Sequence, residues 1–162
     1  MNERPIYTHV QDGKFIRAFL LGIAAVFLIP TVIIQFTSDD HTFVSIGLTI
    51  VPIMIIASVM FGSMTIEVTE TEVRWRFALG QPSGRILRSD LREATLESPS
   101  LINGIGIHLT LRGWLWNVAV GPAVGLRKKS GGDVLLGTDD PDGLLAALRD
   151  APAGAPQGDT GR

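Results

Sequence analysis

The sequence predicts an N-terminal hairpin of two transmembrane helices, followed by a small, mainly β domain that is closed by one C-terminal helix. No Lys, Arg, Asp or Glu occurs within residues 18–38 or 42–66, and each stretch reaches the roughly 20 residues that cross about 30 Å of hydrocarbon. From Thr65 onward the apolar residues alternate with a period of two, which is typical of β-strands. The segment Thr138-Asp139-Asp140-Pro141 then carries the signals of a helix start.

The two spans are predicted at about 15–37 and 43–64, and residues 1–14 form a cytoplasmic lead-in without a predicted helix. A cleaved signal peptide is the alternative for the first span, because Lys14 and Arg17 precede its uncharged run at 18–38. The apolar run is longer than a signal core of about 7 to 15 residues and lacks a small-x-small cleavage motif at its end. An uncleaved span is therefore expected.

Basic residues near the spans predict the orientation, since short segments rich in Lys and Arg stay in the cytoplasm. The intervening loop has none, whereas both flanks have several. These are Arg4, Lys14 and Arg17 in the N-terminal segment before the first uncharged run, and Arg74, Arg76, Arg85 and Arg88 after the second span. We therefore expect a multi-pass protein of the inner cell membrane with both termini in the cytoplasm.

Two pairs of small residues are candidates for close helix packing. Ala18 and Gly22 form one small-x-x-x-small pair, and Ser58 and Gly62 form the other. Both pairs lie at the cytoplasmic end of an antiparallel hairpin. They could serve the packing of the hairpin itself or the contact of a dimer.

The β domain is predicted over residues 65–150. Val73, Trp75 and Phe77 share one face of a strand and are expected in the core. Further strands are predicted at 65–68, 85–88, 94–97, 106–111, 114–119, 123–128 and 133–137. The last helix presents Leu144, Leu145 and Leu148 on one face. The Gly-, Pro- and Ala-rich residues 151–162 are expected to be a disordered tail.

Two segments of the domain resemble a known family. Residues 106–118 read Gly-Ile-His-Leu-Thr-Leu-Arg-Gly-Trp-Leu-Trp-Asn-Val, and residues 137–141 read Gly-Thr-Asp-Asp-Pro. Together they resemble bacterial membrane-anchored pleckstrin-homology-like (PH-like) domain proteins, in which an Arg is usual at the place of His108 and a Tyr at the place of Trp116. The resemblance implies a PH-like barrel of about seven antiparallel strands closed by one helix, and it implies no enzymatic activity.

Composition argues against several function classes. The chain has no cysteine, so neither thiol chemistry nor a thiolate metal site is available. Residues 65–150 contain ten Lys or Arg and eleven Asp or Glu, which gives no electrostatic footprint for nucleic acid. His9, His41 and His108 are scattered without metal-ligand spacing. We therefore predict no metal, no cofactor, no small-molecule substrate and no catalytic residue.

Three surface features have a structural and a functional interpretation. Arg74 and Arg76 could bind a phosphate, but the acidic turn before them favours a solvated strand face. Arg127, Lys128 and Lys129 form a cationic cluster that could contact anionic lipid at about 1 kcal/mol per cation, although charged turns are common for solubility alone. Trp114 and Trp116 share a face, for which core packing is favoured over an interfacial anchor.

The leading hypothesis is a membrane-anchored cytoplasmic binding or scaffold module, which docks a protein partner or associates with a copy of itself. A sheet edge in the domain would offer strand pairing to a peptide. The alternatives are an accessory subunit of a membrane transport or export complex, in which the hairpin supplies the contact, and a sensor of anionic lipid. An enzyme is not expected, because no nucleophile, base and orienting group form a set.

Overall fold

The computed structural model describes residues 4–37, 41–98 and 105–150 of the chain. The first elements are strand β1 (Tyr7–Asp12), helix α1 (Lys14–Thr37), helix α2 (His41–Met60) and strand β2 (Ser63–Val68). Both helices are long and apolar enough to span a membrane. The acidic part of the predicted loop at 38–40 and the predicted tail at 151–162 lie outside the described residues.

The helical hairpin is inserted into a β-hairpin. Strand β1 pairs antiparallel with β2, so that Tyr7 lies opposite Val68 and Asp12 lies opposite Ser63. One residue further, Gly13 donates its N–H to the Gly62 carbonyl at 2.9 Å. Residues 1–14 were expected to form a lead-in without a regular element, and β1 is therefore an unpredicted strand of the β domain. Its partner follows only after both helices, and no local pattern reveals such a pairing.

The remaining strands complete two sheets. They are β3 (Glu72–Phe77), β4 (Ser83–Leu87), β5 (Leu91–Glu97), β6 (Gly106–Thr110), β7 (Gly113–Asn117), β8 (Ala123–Lys128) and β9 (Val134–Gly137). Sheet A has the order β1-β2-β3-β4, and sheet B has the order β5-β8-β9-β7-β6.

Two expectations about the sheets are wrong. The sheets are not closed into a barrel, because a 3-10 turn at Arg88–Asp90 separates β4 from β5 and these strands end different sheets. The pairing is also not wholly antiparallel. Strand β9 returns between β8 and β7 and therefore runs parallel to β7, with Trp114 opposite Val134.

An aromatic cluster between the sheets holds the core together. The prediction that Val73, Trp75 and Phe77 face inward is confirmed, since all three are buried. The ring of Trp116 from sheet B lies 5.6 Å from Trp75 at an interplanar angle of 69°, and 6.2 Å from Phe77. Phe61, just after α2, meets Phe77 edge-on at 5.1 Å. The core thus reaches the point where the helices attach.

Contacts along β1 show how sheet B crosses sheet A. At the end of β1 that joins α1, a Cβ atom on Gly13 would lie 3.1 Å from the carbonyl oxygen of Val118, directly after β7. Farther from the helices, the side chain of His9 contacts Asp139, and the Tyr7 hydroxyl donates to Asp140 at 2.9 Å. Asp139 and Asp140 come just after β9. Strand β7 is therefore nearer to the helices than β9. By the order of sheet B, β6 is nearest and β5 is farthest.

The C-terminal helix is the predicted one. Helix α3 spans Pro141–Asp150, and Asp140 accepts the N–H of Gly143 at 3.0 Å as its N-cap. The apolar face of Leu144, Leu145 and Leu148 is buried against the core, as predicted.

Helices α1 and α2 pack closely at Thr31 and Gly47, where a Cβ atom on Gly47 would overlap the Thr31 hydroxyl. The predicted packing pair Ser58 and Gly62 lies at the end of α2. Ser58 is buried, and the carbonyl of Gly62 accepts a hydrogen bond from Arg17 at 3.2 Å.

The other predicted packing pair lies elsewhere on α1. Ala18 and Gly22 are exposed, and apart from the adjacent backbone of α1 no heavy atom of the described residues lies within 4 Å of the Cβ position of Gly22. This pair therefore faces outward from α1 and does not contribute to the seam of the hairpin.

Candidate functional site

The outer face of sheet A carries a groove of about 380 Å³ that is lined mostly by polar and charged residues. Alternation along the three strands β2, β3 and β4 turns every second side chain away from the core and into this groove. The polar side chains that line it are Thr65, Glu67, Arg74, Arg76, Ser83 and Arg85.

Carboxylates neutralise the arginines of this groove. Glu67 forms a bidentate pair with Arg76, at 2.8 and 3.2 Å. Glu72, which is only 5% exposed, contacts Arg74 directly and Arg85 at 3.9 Å. Each of the three guanidinium groups therefore has an acidic neighbour. Such a face suits a polar peptide better than the concentrated charge of an inositol phosphate.

Strand β4 is the edge of sheet A beside this groove. Phe77 donates its N–H to Pro82, and Arg88 donates to Thr71, at 3.1 and 2.8 Å. Hydrogen-bonded and non-bonded pairs alternate in an antiparallel ladder. Because Pro82 and Arg88 belong to hydrogen-bonded pairs, the odd-numbered residues between them turn their backbone N–H and C=O groups away from β3. These residues are Ser83, Arg85 and Leu87, and all three are exposed.

The groove and the edge together form a surface that an extended peptide can join. A peptide that adds to β4 would bond to the outward backbone groups, and its alternate side chains would lie along the groove. The sequence predicted a strand in this region, but not that it is an edge. Edge position depends on the order of strands in the sheet, for which the segment itself carries no signal.

The basic cluster of Arg127, Lys128 and Lys129 lies far from the helices. Lys129 donates from Nζ to the Ser89 carbonyl at 2.7 Å, so the cluster sits beside the 3-10 turn that follows the far end of β4. Arg127 is 3.4 Å from Glu93. The next turn residue, Ser130, donates to Asp90 at 2.6 Å, and this hydrogen bond is the main reason why the pKa of Asp90 is lowered.

The two tryptophans of β7 have different environments. Trp116 packs against the core, as expected, whereas Trp114 is 48% exposed. Across the strand pair Trp114 lies opposite Leu109, which is 70% exposed, and Leu111 in the adjoining turn is fully exposed. The expectation that both rings pack in the core is therefore wrong for Trp114.

A second polar contact joins β1 to the start of α3. Tyr7 donates its hydroxyl to Asp140, and burial together with this bond raises the pKa of Tyr7. His9 pairs with Asp139, while the His108 ring contacts the Ile105 carbonyl at 2.9 Å. Within residues 4–37, 41–98 and 105–150, no group of three His, Asp or Glu side chains is placed to hold a metal ion.

Comparison with protein-family models, with curated proteins and with solved structures found no match to this chain.

Proposed function

We propose that this protein is a membrane-anchored binding module, in which two transmembrane helices hold the β domain at the cytoplasmic face of the cell membrane. The domain docks a protein partner, or a second copy of itself, by pairing an extended segment with the edge strand β4. The observation that carries the proposal is the row of outward backbone groups at Ser83, Arg85 and Leu87 beside a charge-balanced groove.

The surface of the helices supports the membrane anchor. Large apolar side chains are exposed around both helices, among them Phe15, Phe36 and Leu48. A continuous apolar surface of this size is unfavourable in water and matches a lipid solvent. The basic residues on both flanks of the hairpin favour cytoplasmic termini.

The placement of charge favours a protein partner over an anionic lipid. The cationic cluster of residues 127–129 lies beside Ser89, at the far end of the domain from the helices, and attraction to a charged bilayer decays within a Debye length of about 10 Å. The arginines of the groove already have acidic neighbours. A relationship to PH-like proteins remains part of the proposal, supported by the two segments that resemble that family and by the helix that closes the domain.

A backbone substitution at β4 tests the docking mode. Arg85→Pro removes an outward N–H, at the kind of edge position where a fold tolerates proline, while Arg85→Ala removes the side chain and keeps the N–H. A photoreactive residue at Leu87 in the full chain should crosslink in native membranes to one distinct product. The crosslink should survive Arg85→Ala and be lost in Arg85→Pro, with both variants folded by protease resistance.

Two results would contradict strand pairing. A crosslink that persists in Arg85→Pro would show that the backbone edge is not used. The same yield from a photoreactive residue at Ser130, in the remote turn, would show that the Leu87 product is nonspecific.

An accessory subunit of a membrane complex is the second candidate, favoured by the outward position of Ala18 and Gly22 on α1. Small residues on an exposed helix face allow another helix to approach closely. A photoreactive residue at the neighbouring Phe19 should then crosslink to a multi-span protein. That product should be unaffected by Arg85→Pro but reduced by Gly22→Leu.

A further inference from the structure

The β6–β7 hairpin carries an apolar surface outside the core. Leu109 and Trp114 lie opposite each other on the two strands, and Leu111 occupies the turn between them. Their exposed fractions are 70%, 48% and 108%. These three residues are called the hairpin patch. Adjacent exposed large apolar side chains of this kind mark a contact surface more often than single scattered ones do.

The strand order places β6 at the level of the first helical turn, and the hairpin patch lies at the turn end of β6 and β7, away from Val118. The carbonyl oxygen of Val118, directly after β7, lies beside Gly13, directly before α1. Strand β6 lies on the other side of β7 from β9, and β9 ends beside residues of β1 that are farther from the helices. Strand β6 is therefore the part of sheet B that lies closest to the level of the first helical turn.

We propose that the hairpin patch is a second membrane contact, seated among the lipid headgroups beside the two helices. Trp and Leu side chains partition favourably into this interfacial zone, where an indole can keep its N–H near water. The zone also contains water and polar headgroups, which can satisfy the open backbone edge of β6. That edge would be unfavourable deeper in hydrocarbon.

This contact orients the domain. The helices alone fix one point of attachment, because both connections to sheet A are at Gly13 and Gly62. A second contact through β6 holds the edge strand β4 and the groove at a constant angle to the bilayer. The lipid occupant is favoured over a protein because the order of sheet B places β6 at the level where the two helices leave the β domain.

The absence of native cysteine allows a depth measurement with single labels in the full chain. The test variant is Leu109→Cys on β6. Its matched control is Leu96→Cys, which replaces a 55% exposed leucine on β5, the opposite edge strand of the same sheet. Val26→Cys on the exposed face of α1 reports on the membrane anchor itself. Each variant carries an environment-sensitive fluorophore and is reconstituted in nanodiscs without brominated lipid, with lipids brominated near the headgroup end of the chain, or with lipids brominated near the chain end, which reach the depth of Val26.

The inference rests on the proposed membrane anchor, and the three labels separate the two claims. At Leu109 the emission should shift to the blue and fall in brominated lipid, whereas at Leu96 neither change should occur. If the label on α1 is quenched but the label at Leu109 remains water-exposed, the second contact is refuted while the anchor stands. A blue-shifted label at Leu109 that brominated lipid does not quench would mean that protein covers the patch, which also refutes it. Absence of quenching at Val26 would overturn both claims.

Discussion

Replacing Trp75 should cost the β domain a large part of its stability. The side chain is 4% exposed and packs against Trp116. A buried tryptophan removes roughly 150 to 250 Å² from water, equivalent to about 4 to 6 kcal/mol at about 25 cal/mol per Å². Substitutions of this kind cost about 3 to 5 kcal/mol. We therefore expect Trp75→Ala to lower the free energy of unfolding by about 4 kcal/mol, out of the roughly 5 to 15 kcal/mol typical of a domain.

The indole nitrogen of Trp75 makes a second variant informative. Nε1 is buried and has no hydrogen-bond partner among the described residues, so the folded state carries a desolvation penalty of about 1 to 3 kcal/mol for this group. Trp75→Phe removes that penalty and retains an aromatic ring beside Trp116. We expect it to cost less than about 2 kcal/mol, because the relieved penalty offsets part of the lost volume.

Pulse proteolysis of the full chain in nanodiscs, across a urea series, measures these changes while lipid shields the helices. Arg85→Ala is the exposed control and should stay within about 0.5 kcal/mol of the unmodified chain. Equal shifts for Trp75→Ala and Arg85→Ala would refute the assignment of inward and outward faces on sheet A. A cost for Trp75→Phe as large as that for Trp75→Ala would refute the argument about Nε1.

Three further outcomes follow from the structure. Replacing residues 14–61 by Asn-Gly should yield a soluble, folded β domain, because Gly13 and Gly62 are already hydrogen-bonded at 2.9 Å and this dipeptide forms a two-residue hairpin turn. Aggregation of that protein on gel filtration would contradict the inserted topology. Gly47→Ala should weaken the contact between the helices, measured as lower thermal resistance in detergent, since a methyl group would overlap Thr31, whereas Gly22→Ala should have no effect. The pKa of Tyr7 is raised in the folded state, so the stability that its protonated hydroxyl contributes is complete below the ordinary tyrosine pKa of about 10 and is lost as the pH rises above it. Tyr7→Phe should therefore reduce the fall of the urea midpoint in alkali.

The sequence predicted the elements that depend on neighbouring residues. The absence of charge over about twenty residues defines the two long helices, because helix length and apolar content are local properties. The alternation at Val73, Trp75 and Phe77 identified the inward face of β3, and Asp140 before Pro141 identified the start of α3. Each of these patterns lies within a few residues of the feature that it predicts.

The pairing between distant segments could not be predicted in the same way. The partner of strand β1 comes after two helices in the chain, and β9 enters between β8 and β7, which makes one pair parallel. Strands β4 and β5 end different sheets, so the sheets stay open. Strand order also decides that β4 is an edge and that β6 is the strand of sheet B nearest to the level of the helices. Both proposed contact surfaces depend on this order.

Residues that look equivalent in the sequence have different side-chain environments in the structure. Trp114 and Trp116 share one phase of β7, yet only Trp116 meets the rings of Trp75 and Phe77. Among the small residues of the helices, Gly47 lies in the seam and Gly22 faces outward. The sequence determined which segments are apolar helix or alternating strand, since these periods come from backbone geometry. Only the tertiary structure decided which face of each segment has a neighbour, because burial depends on what another part of the chain places opposite it.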